Sequence, residues 1–288
     1  MADPATIPVP DSAFPYWRWE PQVEELAKVY RENLPFPHIR LTDFLEPGLA
    51  KALAVEFPTN GTEAWTQYKH QNENKLGMTK RELFPSGLGA VADELSSQRF
   101  AAWLSRITGI PGLMADPSFE GGGLHQSARG GFLNVHTDFS MHHYRKNWRR
   151  RVNVLIYLNP VWREDWGGAL EFWEQSMRRC GAKYSPLLNH AVIFTTDERS
   201  LHGFPDPLTC PEGVARKSLA FYYYTVEQAP KLSLHSTDYR PRPTDSWRTK
   251  SLIWLDKKAV DLYSRAKMRL GFSDQFASQI LRFLSRKK

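Results

Sequence analysis

FLNVHTD (residues 132–138), RVNVLIYL (151–158), ALEFWE (169–174), HAVIFT (190–195) and KSLAFYYYTV (217–226) are the stretches that decide the fold. All five are short, rich in β-branched and aromatic side chains, and bounded by glycine, proline or charged turns. Such runs suit a pleated, largely buried surface. At this spacing they predict a β-sandwich or barrel rather than a parallel α/β sheet.

Outward from these strands the chain turns helical. Residues 1–15 hold four prolines and no apolar period, which predicts an extended arm. Glu20–Asn33 reads as a helix, Ile39, Leu41 and Phe44 as the apolar side of a short strand, and Glu46–Phe57 as a second helix. The polar, aperiodic segment Asn60–Pro85 reads as an irregular insertion of a size that often covers a site. Ala90–Thr108 has helical spacing at Leu95, Phe100, Trp103, Leu104 and Ile107. Downstream, RPRPTDSWRTK (240–250) reads as a linker, followed by two basic amphipathic helices, Leu252–Leu270 and Ser273–Leu284, broken near Gly271. The expected division is a main domain over 1–239, with its β core at about 111–230, and a helical extension over 240–288.

The 288 residues, 41% hydrophobic and 13% aromatic, suffice for one substantial core. Two cysteines, Cys180 and Cys210, are too few for a disulfide framework, so a cytoplasmic location is expected. The first twenty residues lack a basic and then apolar leader pattern, and no window approaches eighteen apolar residues; neither export nor membrane spanning is expected. The net charge of +7 is unevenly placed: residues 240–288 hold 13 Lys or Arg against four Asp, a balance of +9, which leaves residues 1–239 at −2. Basicity therefore belongs to the tail and argues against a nucleic-acid partner for the main domain. No phosphate loop, G-x-S-x-G elbow or dinucleotide fingerprint is present.

The chemistry-bearing feature is His136-Thr137-Asp138 at the end of a predicted strand. Residues i and i+2 project from one face with Cα atoms about 6.5–7 Å apart, so both heads can reach one metal ion. A neutral imidazole and a carboxylate suit non-haem iron(II), and a second imidazole completes a facial triad with three positions open. His202, in a Gly- and Pro-rich turn after the strand-like HAVIFTTD, is the candidate third ligand. His142 and His143 belong to HHYRKNWRRR (142–151), which reads as a solvated charged loop and is kept out of the metal set. Gly167 and Gly168 read as a tight turn or a close backbone approach.

HTD, RVNVLIYLN (151–159), WGGALEF (166–172), SLHGF (200–204) and ARKSLAFYYY (215–224), in that order, resemble the catalytic core of prolyl-4-hydroxylase-like Fe(II)/2-oxoglutarate-dependent dioxygenases over roughly residues 120–227. The resemblance implies a mainly β fold, a double-stranded β-helix (jelly-roll) core, and the strand reading adds N- and C-terminal helices buttressing it. It implies Fe(II) on His136, Asp138 and His202, with 2-oxoglutarate as cosubstrate and O2 as oxidant. Arg216 would clamp the far carboxylate of 2-oxoglutarate, with Ser218 as a further donor, Tyr157 as the hydroxyl touching that carboxylate, Leu170 as an apolar wall, and Asn153 beside Tyr157 if alternation persists. Lys217 is the alternative clamp, but Ser218, Ala220 and Tyr222 fall on the face of Arg216. Relatives often carry a tyrosine about ten residues before the first metal histidine; this chain offers His125, Gln126 and Ser127 there.

The implied reaction is hydroxylation of an unactivated C–H bond with release of succinate and CO2, the presence of Asp138 favouring hydroxylation over halogenation. Its substrate would be a prolyl or other aminoacyl group, free or in a peptide, or a polar biosynthetic intermediate. Two alternatives stand beside it: a nucleic-acid dealkylase, disfavoured because the second arginine of that branch is missing after Arg216, and a non-catalytic barrel. In the latter, the basic segment 251–288 would make a peripheral membrane or protein contact. The sequence leaves the oligomeric state open.

Overall fold

Phe14 plugs one end of the core: its ring is fully buried among Tyr16, Phe44, Phe100 and Trp103 at centroid distances of 4.8–5.1 Å. The computed structural model describes residues 12–59, 64–228 and 237–270. Its backbone divides into two units, Met1–Pro243 and Thr244–Lys288.

In the first unit the elements are α1 (Tyr16–Trp19), α2 (Val23–Glu32), β1 (His38–Leu41), α3 (Pro47–Glu56), β2 (Thr66–His70), β3 (Glu73–Met78), α4 (Ser86–Leu95) and α5 (Gln98–Thr108). There follow β4 (Met114–Ala115), β5 (Gly123–Ala128), β6 (Phe132–Thr137), β7 (Trp148–Tyr157), β8 (Leu170–Trp173), β9 (Cys180–Tyr184), β10 (Ala191–Thr195), β11 (Leu201–Phe204), β12 (Ala215–Val226) and β13 (Asp238–Tyr239). The second unit holds α6 (Trp247–Leu270), which begins inside the expected linker; the expected helix Ser273–Leu284 lies outside the described residues.

The described strands make one antiparallel sheet in the order β1-β10-β7-β12-β5-β3-β6-β11-β8-β9, with β2 on β3, β4 on β12 and β13 on β6. This nearly closed, barrel-like arrangement is the jelly-roll core. Alternation along β7 sorts its two faces. Val152, Val154 and Ile156 pack outward with Leu26 and Tyr30 of α2, Leu88 and Val91 of α4, and Phe100 and Leu104 of α5. Burying each such aliphatic side chain contributes about 1.5–3 kcal/mol, so the N-terminal helices and the sheet stabilise each other. Asn153 and Tyr157 point the other way, into the barrel.

Three expectations are corrected. The insertion at 60–85 contains a hairpin: β2 and β3 pair from Thr66↔Gly77 to His70↔Glu73, and β3 bridges β5 and β6, joining the two halves of the sheet. Its alternation is faint because β2 buries nothing and only Leu76 and Met78, at the end of β3, reach the apolar core. The helix expected over Ala90–Thr108 is two helices. Ser97 caps the second by accepting a 3.2 Å hydrogen bond from Phe100 N, and Gly109 ends it at φ 71°. The Gly-rich turn expected at His202 is strand β11. A Cβ on Gly203 would lie 2.7 Å from Leu133 O and 2.9 Å from Asn134 O, so glycine there permits a close strand approach.

Candidate active site

That close approach brings the candidate metal ligands together. β11 and β6 pair with His202 directly opposite His136, and their ring centroids lie 4.5 Å apart. Asp138, just past the end of β6, places Oδ1 3.5 Å from His136 Nε2 and Oδ2 3.5 Å from His202 Nε2. The three donor atoms lie within 4.8 Å of one another, the one such group of His, Cys, Asp or Glu among the described residues.

Both imidazoles are oriented by the backbone. Nδ1 of His136 lies 2.9 Å from Asn134 O and Nδ1 of His202 lies 2.8 Å from Ser200 O. A carbonyl only accepts, so each Nδ1 carries the proton and each Nε2 lone pair faces the shared space. Burial brings His202 down to about 4 although the Asp138 charge pulls it up, and this keeps its ring neutral. Burial would raise Asp138, but Arg150 and the two histidines outweigh it and hold the carboxyl well below its usual range. Two imidazoles that present Nε2 and a carboxylate are a donor set that fits Fe(II).

A second cluster surrounds Arg216 on β12. The side chain is buried, Nε donates to Gly168 O at 2.7 Å, Nη2 donates to the Tyr157 hydroxyl at 3.1 Å, and the guanidinium lies over the rings of Phe204 and Tyr157 at 4.2 and 4.9 Å. Among the described residues no carboxylate pairs with it, and burial lowers its pKa. A buried guanidinium without an acid is costly unless a ligand supplies the acid, so this pocket fits a carboxylate of 2-oxoglutarate. Gly168 is required here: its φ is 75°, and a Cβ would stand 2.6 Å from Leu208 Cδ2 and 3.1 Å from Arg216 Cδ.

The remaining candidates divide. Leu170 is buried with Phe36, Tyr157, Phe172, Val192 and Phe194, forming an apolar wall beside Tyr157. Ser218 is buried opposite Tyr157 in the β7–β12 register. Asn153 keeps the face of Tyr157, but four residues along a strand is about 13 Å. Its amide donates to Asp138 Oδ2 at 2.7 Å, which places it at the metal end and not with Arg216. Lys217 turns away, its ammonium 5.3 Å from the Phe57 ring centroid. Of residues 125–127, His125 and Ser127 stand opposite Ser218 and Arg216 and share their inward face, whereas Gln126 does not. Burial, with Lys75 next, lowers His125 to about 3.

Two features escaped the sequence reading. Tyr239 of β13 packs its ring 5.5 Å from that of His136. Arg150 is fully buried, with Nη2 2.9 Å from Asp138 Oδ2. The sequence hides it in Arg149-Arg150-Arg151, at the end of a stretch that reads as a solvated charged loop. The β7–β12 register skips a residue, pairing Tyr223 with Val152 but Tyr224 with Arg150, and this bulge turns Arg150 to the inward face.

Residues 122–224 match the model of the 2OG-Fe(II) oxygenase superfamily. Prolyl 3-hydroxylase OGFOD1 of Mus musculus is 26% identical over 217 residues, 72% of this chain and 35% of that protein, so the chain spans about a third of the curated relative's length. Among solved structures, a prolyl 4-hydroxylase of Phytophthora capsici superposes with a TM-score of 0.55 at 17% identity over 88% of this chain and 78% of its own. That of Pseudomonas putida gives 0.50 at 18% identity over 69% and 98%. A prolyl hydroxylase of Trichoplax adhaerens, in complex with a hypoxia inducible factor oxygen degradation domain peptide fragment, gives 0.50 at 17% identity over 72% and 92%. At these identities the structural likeness is one of fold.

Proposed function

We propose that the chain is a 2OG-Fe(II) oxygenase and that it hydroxylates a prolyl residue of a polypeptide, releasing succinate and CO2. The observation that carries the reading is the pairing of the His136–Asp138–His202 trio with a buried, acid-free Arg216 in one barrel. The prolyl hydroxylases among its relatives support the substrate class.

In this reading His136 and His202 bind iron through Nε2 and Asp138 through its carboxylate. Bound iron, with 2-oxoglutarate and O2, supplies an oxidant able to hydroxylate an unactivated C–H bond. Arg216 grips the far carboxylate, held at a fixed angle by Gly168 O and the Tyr157 hydroxyl, with Ser218 as a neighbouring donor. Leu170, Phe172 and Phe194 exclude water from that end, which strengthens the guanidinium's hold. No finding favours a nucleic-acid dealkylase or an inactive barrel. In the second unit, Trp247, Trp254 and Leu255 of α6 are exposed beside Arg248 and Lys258, which supports a peripheral membrane or protein contact through the C-terminal segment. Among the described residues no helix is long and apolar enough to cross a membrane.

The test is a screen of proline-containing peptides with purified protein, Fe(II) and 2-oxoglutarate, read by a mass gain of one oxygen on proline and by succinate. His136→Ala is the blank. Hydroxylation confined to small polar metabolites would replace the polypeptide substrate; no succinate under any condition would remove the activity.

A further inference from the structure

His202, His136 and Tyr239 stand in one row across three neighbouring strands. His202 of β11 faces His136 of β6, and on its other side His136 faces Tyr239 of β13. Cross-strand partners project from the same face of a sheet, so a side chain paired with an inward-pointing ligand points inward too. Tyr239 therefore points into the barrel beside the two histidines. Its ring lies 5.5 Å from that of His136 at 40°, and 6.1 Å from that of His70, on the hairpin β2–β3, at 82°.

The strap that carries this tyrosine lies beyond residues 122–224, the stretch that matches the oxygenase family. It is pinned on both sides of Tyr239. Asp238 pairs with Thr137, and Arg240 N donates to Val135 O at 2.8 Å. Further on, Arg242 donates through both Nη atoms to the Asp206 carboxylate at 2.7 and 3.1 Å, with Glu171 Oε2 3.9 Å away. Yet Tyr239 is not a core residue: it is only half-buried, and no apolar cluster includes it. Nor does His136 need it for orientation, since Asn134 O already fixes Nδ1.

We propose that Tyr239 is a specificity-determining residue that takes the target prolyl ring against its aromatic face, so that the strap over residues 237–243 completes the substrate subsite from outside the matched β core. The inference rests on the prolyl reading above. Within a polypeptide a prolyl ring has no N–H to donate, and its C–H bonds are polarised by the adjoining amide nitrogen. The electron-rich face of a tyrosine suits such a ring better than a hydrogen-bonding group does. Grooves that hold proline-rich segments are lined by aromatic side chains for the same reason.

The experiment is hydroxylation of an equimolar library of proline-centred heptapeptides by full-length protein with Fe(II) and 2-oxoglutarate, read as a mass gain of one oxygen on proline. The peptide that wild type modifies fastest is then used for KM and kcat, while calorimetry gives Mn(II) affinity and the 2-oxoglutarate affinity of the Mn(II)-loaded protein. Tyr239→Ala should raise the peptide KM about tenfold, with kcat and both affinities within about threefold of wild type. Tyr239→Phe keeps the ring and should stay within about threefold in KM, whereas Arg242→Ala loosens the strap and should raise KM about threefold. A KM for Tyr239→Ala within about twofold of wild type would overturn the proposal. So would Mn(II) or 2-oxoglutarate affinity falling as far as KM rises, the pattern of a residue that merely supports His136. If Tyr239→Ala does not fold, Tyr239→Leu, which keeps an apolar body without the ring, should show the same rise and decides in its place. Wild type that forms succinate but leaves every proline unmodified would overturn the prolyl reading and this inference with it.

Discussion

Replacing Arg216 by methionine should weaken 2-oxoglutarate binding sharply and leave stability nearly unchanged. The guanidinium is buried and has no acidic partner among the described residues; its contacts are Gly168 O, the Tyr157 hydroxyl and two aromatic rings. Hydrogen bonds between ionised groups contribute about 1.5–3 kcal/mol each, so losing a two-point grip on a carboxylate removes about 3–5 kcal/mol. That is a fall in 2-oxoglutarate affinity of roughly 10²–10³-fold. The stability of the cosubstrate-free protein should barely change. Removing an uncompensated buried charge is favourable and stranding Gly168 O and Tyr157 Oη is unfavourable, leaving a net change within about 2 kcal/mol. A structural salt bridge broken at one end would instead cost about 3–5 kcal/mol. The assays are calorimetry with 2-oxoglutarate on Mn(II)-loaded protein, and urea denaturation without metal or cosubstrate. A loss of affinity under tenfold, or destabilisation by more than 3 kcal/mol, would refute the assignment.

Gly168→Ala forces a Cβ into Leu208 at a positive φ, and should raise the KM for 2-oxoglutarate by misplacing Arg216, at a stability cost of about 1–3 kcal/mol seen in thermal melts. Phe14→Ala empties the aromatic nest under α5 and should cost about 3–5 kcal/mol in urea titrations, with the 2-oxoglutarate affinity of the folded fraction retained. Burial opposes the Glu73 carboxylate, but hydrogen bonds and charge from His70 and Lys75 lower it from 4.5 to about 2. A depressed carboxyl stabilises the fold above its unfolded pKa, so wild type should exceed Glu73→Gln by about 1–3 kcal/mol above pH 4.5, with the gap closing as pH falls toward 2; equal urea midpoints at pH 7 would contradict it.

What could be read from the sequence follows from what produced a pattern. β7, β8, β10 and β12 bury apolar side chains on at least one face, and that burial is what made RVNVLIYL and KSLAFYYYTV recognisable. In the hairpin β2–β3 only Leu76 and Met78 reach the apolar core, too few to set up an alternation that separates these strands from a polar loop. At the site, HTD and the order of motifs pointed to His136, Asp138, His202 and Arg216, because their chemistry is tied to residue type. Arg150 is different. Its place depends on a one-residue bulge between β7 and β12, and nothing in Arg149-Arg150-Arg151 says which of the three turns inward. The same limit applied to Asn153: alternation gave its face correctly, but only coordinates say which end of the barrel it reaches.

The central claim, that three side chains hold iron within reach of a guanidinium that anchors 2-oxoglutarate, is tested most directly by visible absorption under anaerobic conditions. A keto acid chelated to ferrous iron gives a metal-to-ligand charge-transfer band. The account predicts a band that needs both Fe(II) and 2-oxoglutarate, saturates at one iron per chain, and is absent in His136→Ala. Folded wild-type protein that develops no such band, or a His136→Ala variant that develops it undiminished, would contradict the account.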